Sequence, residues 1–336
     1  MNKKTFKILA IDGGGIKGLY AASLLARIEE KTDKKITDYF DMICGTSTGG
    51  LIALGLSNDI SAQELSDLYF DKGNKIFPLS NYRFYRFFQR KWQYLKQLLL
   101  WGKFSNENFK KILEETFGDK TIGEANNLLC IPSFNLIKGE PRVFKFPHKE
   151  GGFFMDKNIK IIDVALATAA APTYLPIHEH NNILYADGGL WANNPTLCGL
   201  LEALQFFVGE GKEFDNFKIL SISSVPQPSG WASTKKTSKS FRHWSNKLFQ
   251  ASMDGQAYFS DFFMKKIIDN IHPKGTYFRI PSPTLSKDHI GVIDMDITHD
   301  EALKTLKAMG DHDGYHYAIQ TQILEFFEQP KIYNTK

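Results

Sequence analysis

Two stretches, Lys7-Ile8-Leu9-Ala10-Ile11-Asp12-Gly13-Gly14-Gly15-Ile16-Lys17-Gly18 and Phe40-Asp41-Met42-Ile43-Cys44-Gly45-Thr46-Ser47-Thr48-Gly49-Gly50, each run a short apolar segment into a glycine-rich turn. An amphipathic stretch follows each turn, so the pattern reads strand, turn, helix twice over, which is how a parallel sheet begins. In such a sheet the carboxyl ends of neighbouring strands share one crevice, and the two turns are expected to face each other across it. The fold class expected is α/β, a three-layer α/β/α sandwich around a mostly parallel central sheet.

The second turn has the form G-x-S-x-G, in which flanking glycines let the chain bend tightly and leave a serine hydroxyl exposed at the bend. Ser47 is therefore a candidate nucleophile, with a plain strand-to-helix turn as the alternative. In the first turn, Gly13, Gly14 and Gly15 present unobstructed backbone N–H groups at a helix N-terminus, where they can stabilise a developing oxyanion. A rival reading stays open, because Gly13, Gly15 and Gly18 also match G-x-G-x-x-G, the dinucleotide-binding pattern. That pattern wants an acidic residue at the end of the second strand. Here Gly45 to Gly50 stand at that end, and Asp41 lies near the strand's start.

A serine hydroxyl needs a base. Asp187-Gly188-Gly189 follows the apolar segment Ile183-Leu184-Tyr185-Ala186, which places a carboxylate at another strand end. Desolvation and a close hydrogen bond would let Asp187 take the Ser47 proton directly; an ordinary Asp-Gly turn is the alternative. His289, His299, His312 and His316 fall late enough to complete a Ser-Asp-His triad, yet none sits in a strand-end motif. His299 stands at the start of a helix, and His312 and His316 are expected in a polar turn and the helix after it. No histidine pair has a metal-ligand spacing such as H-E-x-x-H, so no metal is expected.

Taken together, Asp12-Gly13-Gly14-Gly15-Ile16-Lys17-Gly18, Gly45-Thr46-Ser47-Thr48-Gly49 and Asp187-Gly188-Gly189 resemble, in that order, the three motifs of the patatin-like phospholipase family. Asp163 to Pro176 resembles the family segment that precedes the aspartate motif. The resemblance covers roughly residues 6 to 225, more loosely to about 310. It implies a Ser-Asp dyad without histidine, acting on ester bonds of membrane glycerophospholipids and needing no cofactor: Ser47 attacks the acyl carbonyl, Asp187 is the base, and the Gly13 to Gly15 amides hold the oxyanion. Gly45 to Leu56 and Ile131-Pro132-Ser133-Phe134 look most like the bacterial CapV-type effectors, phospholipases of antiviral signalling that a cyclic dinucleotide such as cyclic GMP-AMP switches on. A constitutive lipid acyl hydrolase of the same family remains the alternative, with a dinucleotide-dependent oxidoreductase and a non-catalytic lipid-binding protein behind it.

Length and composition suit one catalytic domain over 1–336: the chain has 336 residues, 43% of them hydrophobic, and no linker or low-complexity tract. Within it we distinguish a core carrying the motifs (6–225), a basic loop or lid (226–250) and a helical C-terminal part (251–336). The three cysteines, Cys44, Cys130 and Cys198, lie in apolar contexts and read as reduced core thiols. Phe6 to Ile11 is too short for a secretory signal and nothing approaches a membrane span, so a cytoplasmic protein, peripheral on the inner face of the membrane when active, is expected. Ser61-Ala62-Gln63-Glu64 has the capping-box form and opens a helix to about Lys72; Asn194-Pro195 opens another over Thr196 to about Phe207. Further strands are expected at 128–137, 143–146, 218–223 and 277–280, and a last helix from 298 is expected to stop at Gly310.

Net charge is only +4, but its distribution is uneven. No acidic residue occurs from Lys72 to Asn106, a stretch where basic residues interleave with aromatic ones. Such a helix lies flat in an anionic membrane interface, with Arg83, Arg86, Phe87, Trp92 and Trp101 as candidate contacts. Core packing or the face of a homo-oligomer is the alternative; a nucleic acid polymer is set aside because the esterase motifs favour lipid. A second acid-free stretch, Asn216 to Met253, reads as an irregular loop leading into a helix. Its Lys235, Lys236, Lys239, Arg242 and Lys247 are candidates for binding a phosphate-bearing regulator, the cyclic dinucleotide.

Overall fold

The structure, a computed structural model, describes residues 3–78, 103–149, 155–226, 238, 241–289 and 291–335, with the backbone alone for 241–243, 245 and 246. In chain order the elements are β1 (Thr5–Ile11), a 3-10 turn (Gly15–Lys17), α1 (Gly18–Thr32), β2 (Met42–Gly45), α2 (Thr48–Leu56), α3 (Ala62–Ile76), α4 (Glu107–Phe117), β3 (Leu128–Asn135) and β4 (Glu140–Lys145). There follow α5 (Ile161–Thr168), β5 (His178–His180), β6 (Ile183–Asp187), α6 (Thr196–Glu202), β7 (Asn216–Ile222), α7 (Phe241–Ile267), β8 (Gly275–Ile280) and α8 (Asp300–Ala318).

β1 is buried from Phe6 to Ile11, as befits a strand covered on both faces, and apart from Lys7 those residues are apolar. β3, β2, β1, β7 and β8 lie side by side in parallel. β4 and β6 pair antiparallel with β3, and β5 pairs antiparallel with β6. One face of the sheet carries α1, α2, α3, α5 and α8, and the other carries α6 and α7, which gives the three layers.

The register around β3 positions the site. Cys130 pairs with both Lys145 and Cys44, and Ser133 pairs with both Arg142 and Asp187. A strand has only two edges, so β4 fills one edge of β3 while β2 and β6 share the other, end to end. β2 runs with β3 and β6 runs against it. Their carboxyl ends therefore converge, separated by the three β3 steps from Cys130 to Ser133, about 10 Å at ~3.3 Å per residue.

The capping box forms as expected: the Ser61 hydroxyl accepts from the Glu64 amide at 3.2 Å and the Glu64 carboxylate from the Ser61 amide at 2.8 Å. Thr196 to Phe207 is helical, with its last turn, Ala203–Phe207, widened to a π turn. The last helix departs from expectation, since α8 runs through Gly310 and on to Ala318. A Cβ at Gly310 would lie 2.4 Å from the Tyr20 carbonyl oxygen, and one at Gly314 would lie 2.7 Å from that of Leu24. These glycines are contact points between α1 and α8, and close packing there outweighs the ~1 kcal/mol that each glycine costs a helix interior. His312 accordingly sits within α8 and not in a turn, and His316 lies on the same helix. Asp41 is also spoken for: its carboxylate accepts from the amides of Lys7, Ile332 and Tyr333 at 2.8, 2.9 and 2.8 Å, tying the C-terminal segment to the start of β1.

Candidate active site

Ser47 stands between β2 and α2 with φ +53° and ψ −123°, a left-handed φ that a serine keeps only where its surroundings enforce it. The surroundings are close. A Cβ at Gly45 would lie 2.1 Å from the Gly49 carbonyl oxygen, and one at Gly49 would lie 2.3 Å from that of Ile11, so neither position admits a side chain. The Ser47 amide donates to the Thr168 hydroxyl at 3.0 Å, and that hydroxyl donates to the Pro132 carbonyl at 2.6 Å. Thr46 donates to the Ala192 carbonyl at 2.6 Å, which ties the bend to the loop that follows Asp187. Because Ser47 precedes the first turn of α2, it lies at the positive end of that helix.

Asp187 is the last residue of β6 and is 1% exposed. Its backbone amide donates to the Ala170 carbonyl at 2.9 Å, and its Oδ1 accepts from the Gly189 amide at 2.7 Å. Burial pushes its carboxyl from the ordinary 3.8 up to about 7, with the Gly189 amide and the Ser47 hydroxyl pulling it partly back. The converging ends of β2 and β6 thus bring Ser47 and Asp187 together, and the aspartate is as basic as an ordinary imidazole. Among the described residues no histidine hydrogen-bonds to either. His299 caps α8 instead, accepting from the Ala302 amide at 3.2 Å.

The glycine turn lies alongside. The Gly13 amide is already engaged, donating to the Asn193 carbonyl at 3.0 Å. The amides of Gly14 and Gly15 have no acceptor among the described residues, and they open the 3-10 turn that leads into α1. Gly15 has φ +62°, and the next amide, that of Ile16, is pinned to the Met295 carbonyl at 2.8 Å. Behind the turn, Asp12 is held by Arg279, whose two terminal nitrogens donate to the carboxylate at 3.1 and 2.5 Å. Burial pushes the Asp12 carboxyl up and the guanidinium pulls it back. Lys17 is buried too, its ammonium donating to the Val225 carbonyl at 2.9 Å.

Ser47 borders a narrow cleft lined almost wholly by apolar groups, among them Ile16, Leu51, Tyr69, Phe77, Phe109 and Leu175. A tight bend that sets a serine beside the cleft, a carboxylate near neutrality, two free amides and an apolar trough together suit attack on the ester of a long-chain acid.

Thr168, Asn193 and Arg279 had drawn no assignment as site residues from the sequence. Thr168 lies within the Asp163–Pro176 stretch, where a hydroxyl among alanines is a faint signal; Arg279 is a lone cation on an apolar strand, and its partner is 267 residues away. Of the candidate membrane contacts, Arg83, Arg86, Phe87, Trp92 and Trp101 lie outside the described residues. So do Lys235, Lys236 and Lys239, and the side chain of Arg242; Lys247 is exposed on α7. No helix among the described residues is long and apolar enough to cross a membrane.

Fold and site together define a serine ester hydrolase of the α/β class. The chain belongs to the patatin-like phospholipase family, whose sequence profile matches residues 9–197. It is 34% identical over 311 residues to a protein of Pseudomonas aeruginosa described as a cGAMP-activated phospholipase, a match that spans 92% of this chain and 87% of that one. Proteins of the same description from Vibrio cholerae and Escherichia coli are 38% and 37% identical, over 66% and 61% of this chain and 65% and 58% of theirs. Family membership displaces the dinucleotide-binding reading of Gly13, Gly15 and Gly18, in keeping with the structural use of Asp41.

Proposed function

We propose that this chain cleaves ester-linked fatty acids from membrane glycerophospholipids with Ser47 as nucleophile and Asp187 as its base, and that a cyclic dinucleotide such as cyclic GMP-AMP activates it. Asp187 takes the hydroxyl proton as Ser47 attacks the acyl carbonyl. The tetrahedral oxyanion accepts hydrogen bonds from the amides of Gly14 and Gly15; that of Gly13 is committed to Asn193 and shapes the turn. Asp187 then gives its proton to the departing alcohol of the lysolipid, and later activates water against the acyl-serine. The acyl chain occupies the apolar cleft beside Ser47. The observation that carries the reading is the pairing of an elbow serine with a buried carboxylate raised to about 7.

Nucleotide activation rests on the relatives' description and extends to a role in antiviral defence, in which the enzyme acts from the inner membrane face on the lipids of its own cell. One domain over 1–336, with homo-oligomers allowed, is part of the same reading. The test is fatty-acid release from mixed phospholipid vesicles, with and without a panel of cyclic di- and trinucleotides, using Ser47→Ala as the blank. Release that needs both Ser47 and one nucleotide supports the whole reading. Ser47-dependent release without any nucleotide keeps the enzyme and removes the gating in favour of a constitutive hydrolase. Release undiminished in Ser47→Ala refutes the catalytic assignment.

A further inference from the structure

Across the glycine turn from the Ser47 cleft lies a second cavity, of about 290 Å³, whose lining carries far more polar groups than the first. Its lining includes Asp12, Gly13, Lys17, Asn193, Ser224 and Gln250. The charges balance, with Lys17, Lys265 and Arg279 against Asp12, Asp254 and Asp261. Net charge therefore gives no reason for a bare phosphate to settle there, and the hydrogen-bonding groups left over decide what does.

Those groups are unusual for an interior. The amide oxygens of Asn193 and Gln250 and the hydroxyl of Ser224 are buried without a hydrogen-bond partner. Asn193 is 6% and Gln250 7% exposed. Gln250 has its orientation fixed, because its Nε2 donates to Asp254 at 2.7 Å, which leaves Oε1 free. An unsatisfied buried acceptor costs roughly 1–3 kcal/mol, so several grouped at one cavity point to a ligand that supplies donors. The amino and imino groups of a purine edge are such donors, and Tyr258 on the same lining offers a ring for the base to stack on.

The cavity also touches the catalytic turn. A Cβ at Gly13 would lie 2.6 Å from the Asn193 amide oxygen, and one at Gly14 would lie 2.2 Å from the Ser224 hydroxyl. The Gly13 amide donates to the Asn193 backbone. Whatever engages Asn193 and Ser224 therefore bears directly on the backbone of Gly13 and Gly14, next to the proposed oxyanion donors.

We propose that this cavity takes a purine base of the activating cyclic dinucleotide and, through Asn193 and Ser224, sets the glycine turn for catalysis. The proposal rests on the nucleotide-gated reading above and names for that gate residues other than the basic ones at 235–247. The test uses the full chain and 3′,3′-cyclic GMP-AMP as probe, with AMP and GMP as controls. Fatty-acid release by the wild type is titrated with nucleotide beside Gln250→Met and Ser224→Ala, whose folding is checked by thermal melting without ligand. The expected result is stimulation of the wild type by the cyclic dinucleotide and not by either mononucleotide, with at least a tenfold rise in the half-activating concentration in both variants. Wild-type stimulation with unchanged half-activation in the variants overturns the site and leaves the gating intact. No stimulation of the wild type by any cyclic nucleotide removes the gating, and the site with it. Independently of how the variants fold, an 8-azidoadenine photoaffinity analogue of cyclic GMP-AMP should label the wild type within 250–261 or at 193–194. Labelling confined to other segments overturns the assignment.

Discussion

Replacing Asp187 by asparagine should destroy catalysis and, at alkaline pH, stabilise the fold. The Asp187 carboxyl is fully buried and its pKa is raised from 3.8 to about 7. For an acid raised in this way, the folded state binds the proton more tightly than the unfolded chain does. The associated stability is fully present below about pH 4, declines as the pH rises, and is gone above about pH 7. Linkage over that shift amounts to roughly 4 kcal/mol in total, of which about 2.5 kcal/mol is lost between pH 5 and pH 8. Asparagine keeps an oxygen for the Gly189 amide at 2.7 Å but carries no titrating charge. The assay is equilibrium urea unfolding of wild type and Asp187→Asn at both pH values. Taking the difference between the two proteins cancels every other titrating group. The variant should gain about 2.5 kcal/mol on the wild type as the pH goes from 5 to 8, while fatty-acid release falls by at least 10²-fold. Equal pH dependence in the two proteins would refute the claim that burial is what makes this aspartate a base.

The same pKa predicts that kcat/KM on a water-soluble ester falls tenfold for each pH unit below about 7 and levels off above it; a profile flat from pH 5 to 8 speaks against Asp187 as the base. Gly15→Ala forces a side chain onto φ +62° with its Cβ 2.2 Å from the Met295 carbonyl oxygen, so the turn must shift. We expect kcat to fall on the order of 10²–10³-fold, as for loss of one oxyanion donor, and an unchanged kcat would remove Gly15 from that role. Arg279→Met leaves the Asp12 carboxylate buried without its guanidinium partner, which should cost about 3–5 kcal/mol in urea unfolding. Adding Asp12→Asn to that variant should recover part of the loss, and a double mutant no more stable than the single one would contradict the ion-pair account.

The start of the parallel sheet was legible because β1 and β2 are short, largely apolar runs, each closed by a glycine turn. The positions of Ser47 and Asp187 at strand ends were legible for a related reason, since flanking glycines mark the bends. What could not be read is where long-range contacts decide. Gly310 looks like a helix stop, but it is a helix contact whose partner is Tyr20, and nothing near position 310 announces that. The three candidate glycine donors could not be ranked, because the acceptor that engages Gly13 is a backbone carbonyl 180 residues away. Arg279 pairs with Asp12 only because β8 and β1 both flank β7, an order set by the whole sheet.

On the proposed assignment, the sheet also accounts for a carboxylate standing where histidine is the commoner base. An aspartate side chain is short, so it reaches a serine hydroxyl only if the two backbones are brought close. The end-to-end placement of β2 and β6 on one edge of β3 does that by turning their carboxyl ends toward each other. Reach alone would be insufficient, since a solvated aspartate near pKa 3.8 is a feeble base at neutral pH. Burial in the same junction, with a single short bond from Gly189 to hold the side chain still, raises it to the range that imidazole occupies unaided. Geometry and basicity are thus supplied by one feature of the topology. An aspartate moved one residue along β6 would face the opposite side of the sheet and lose both.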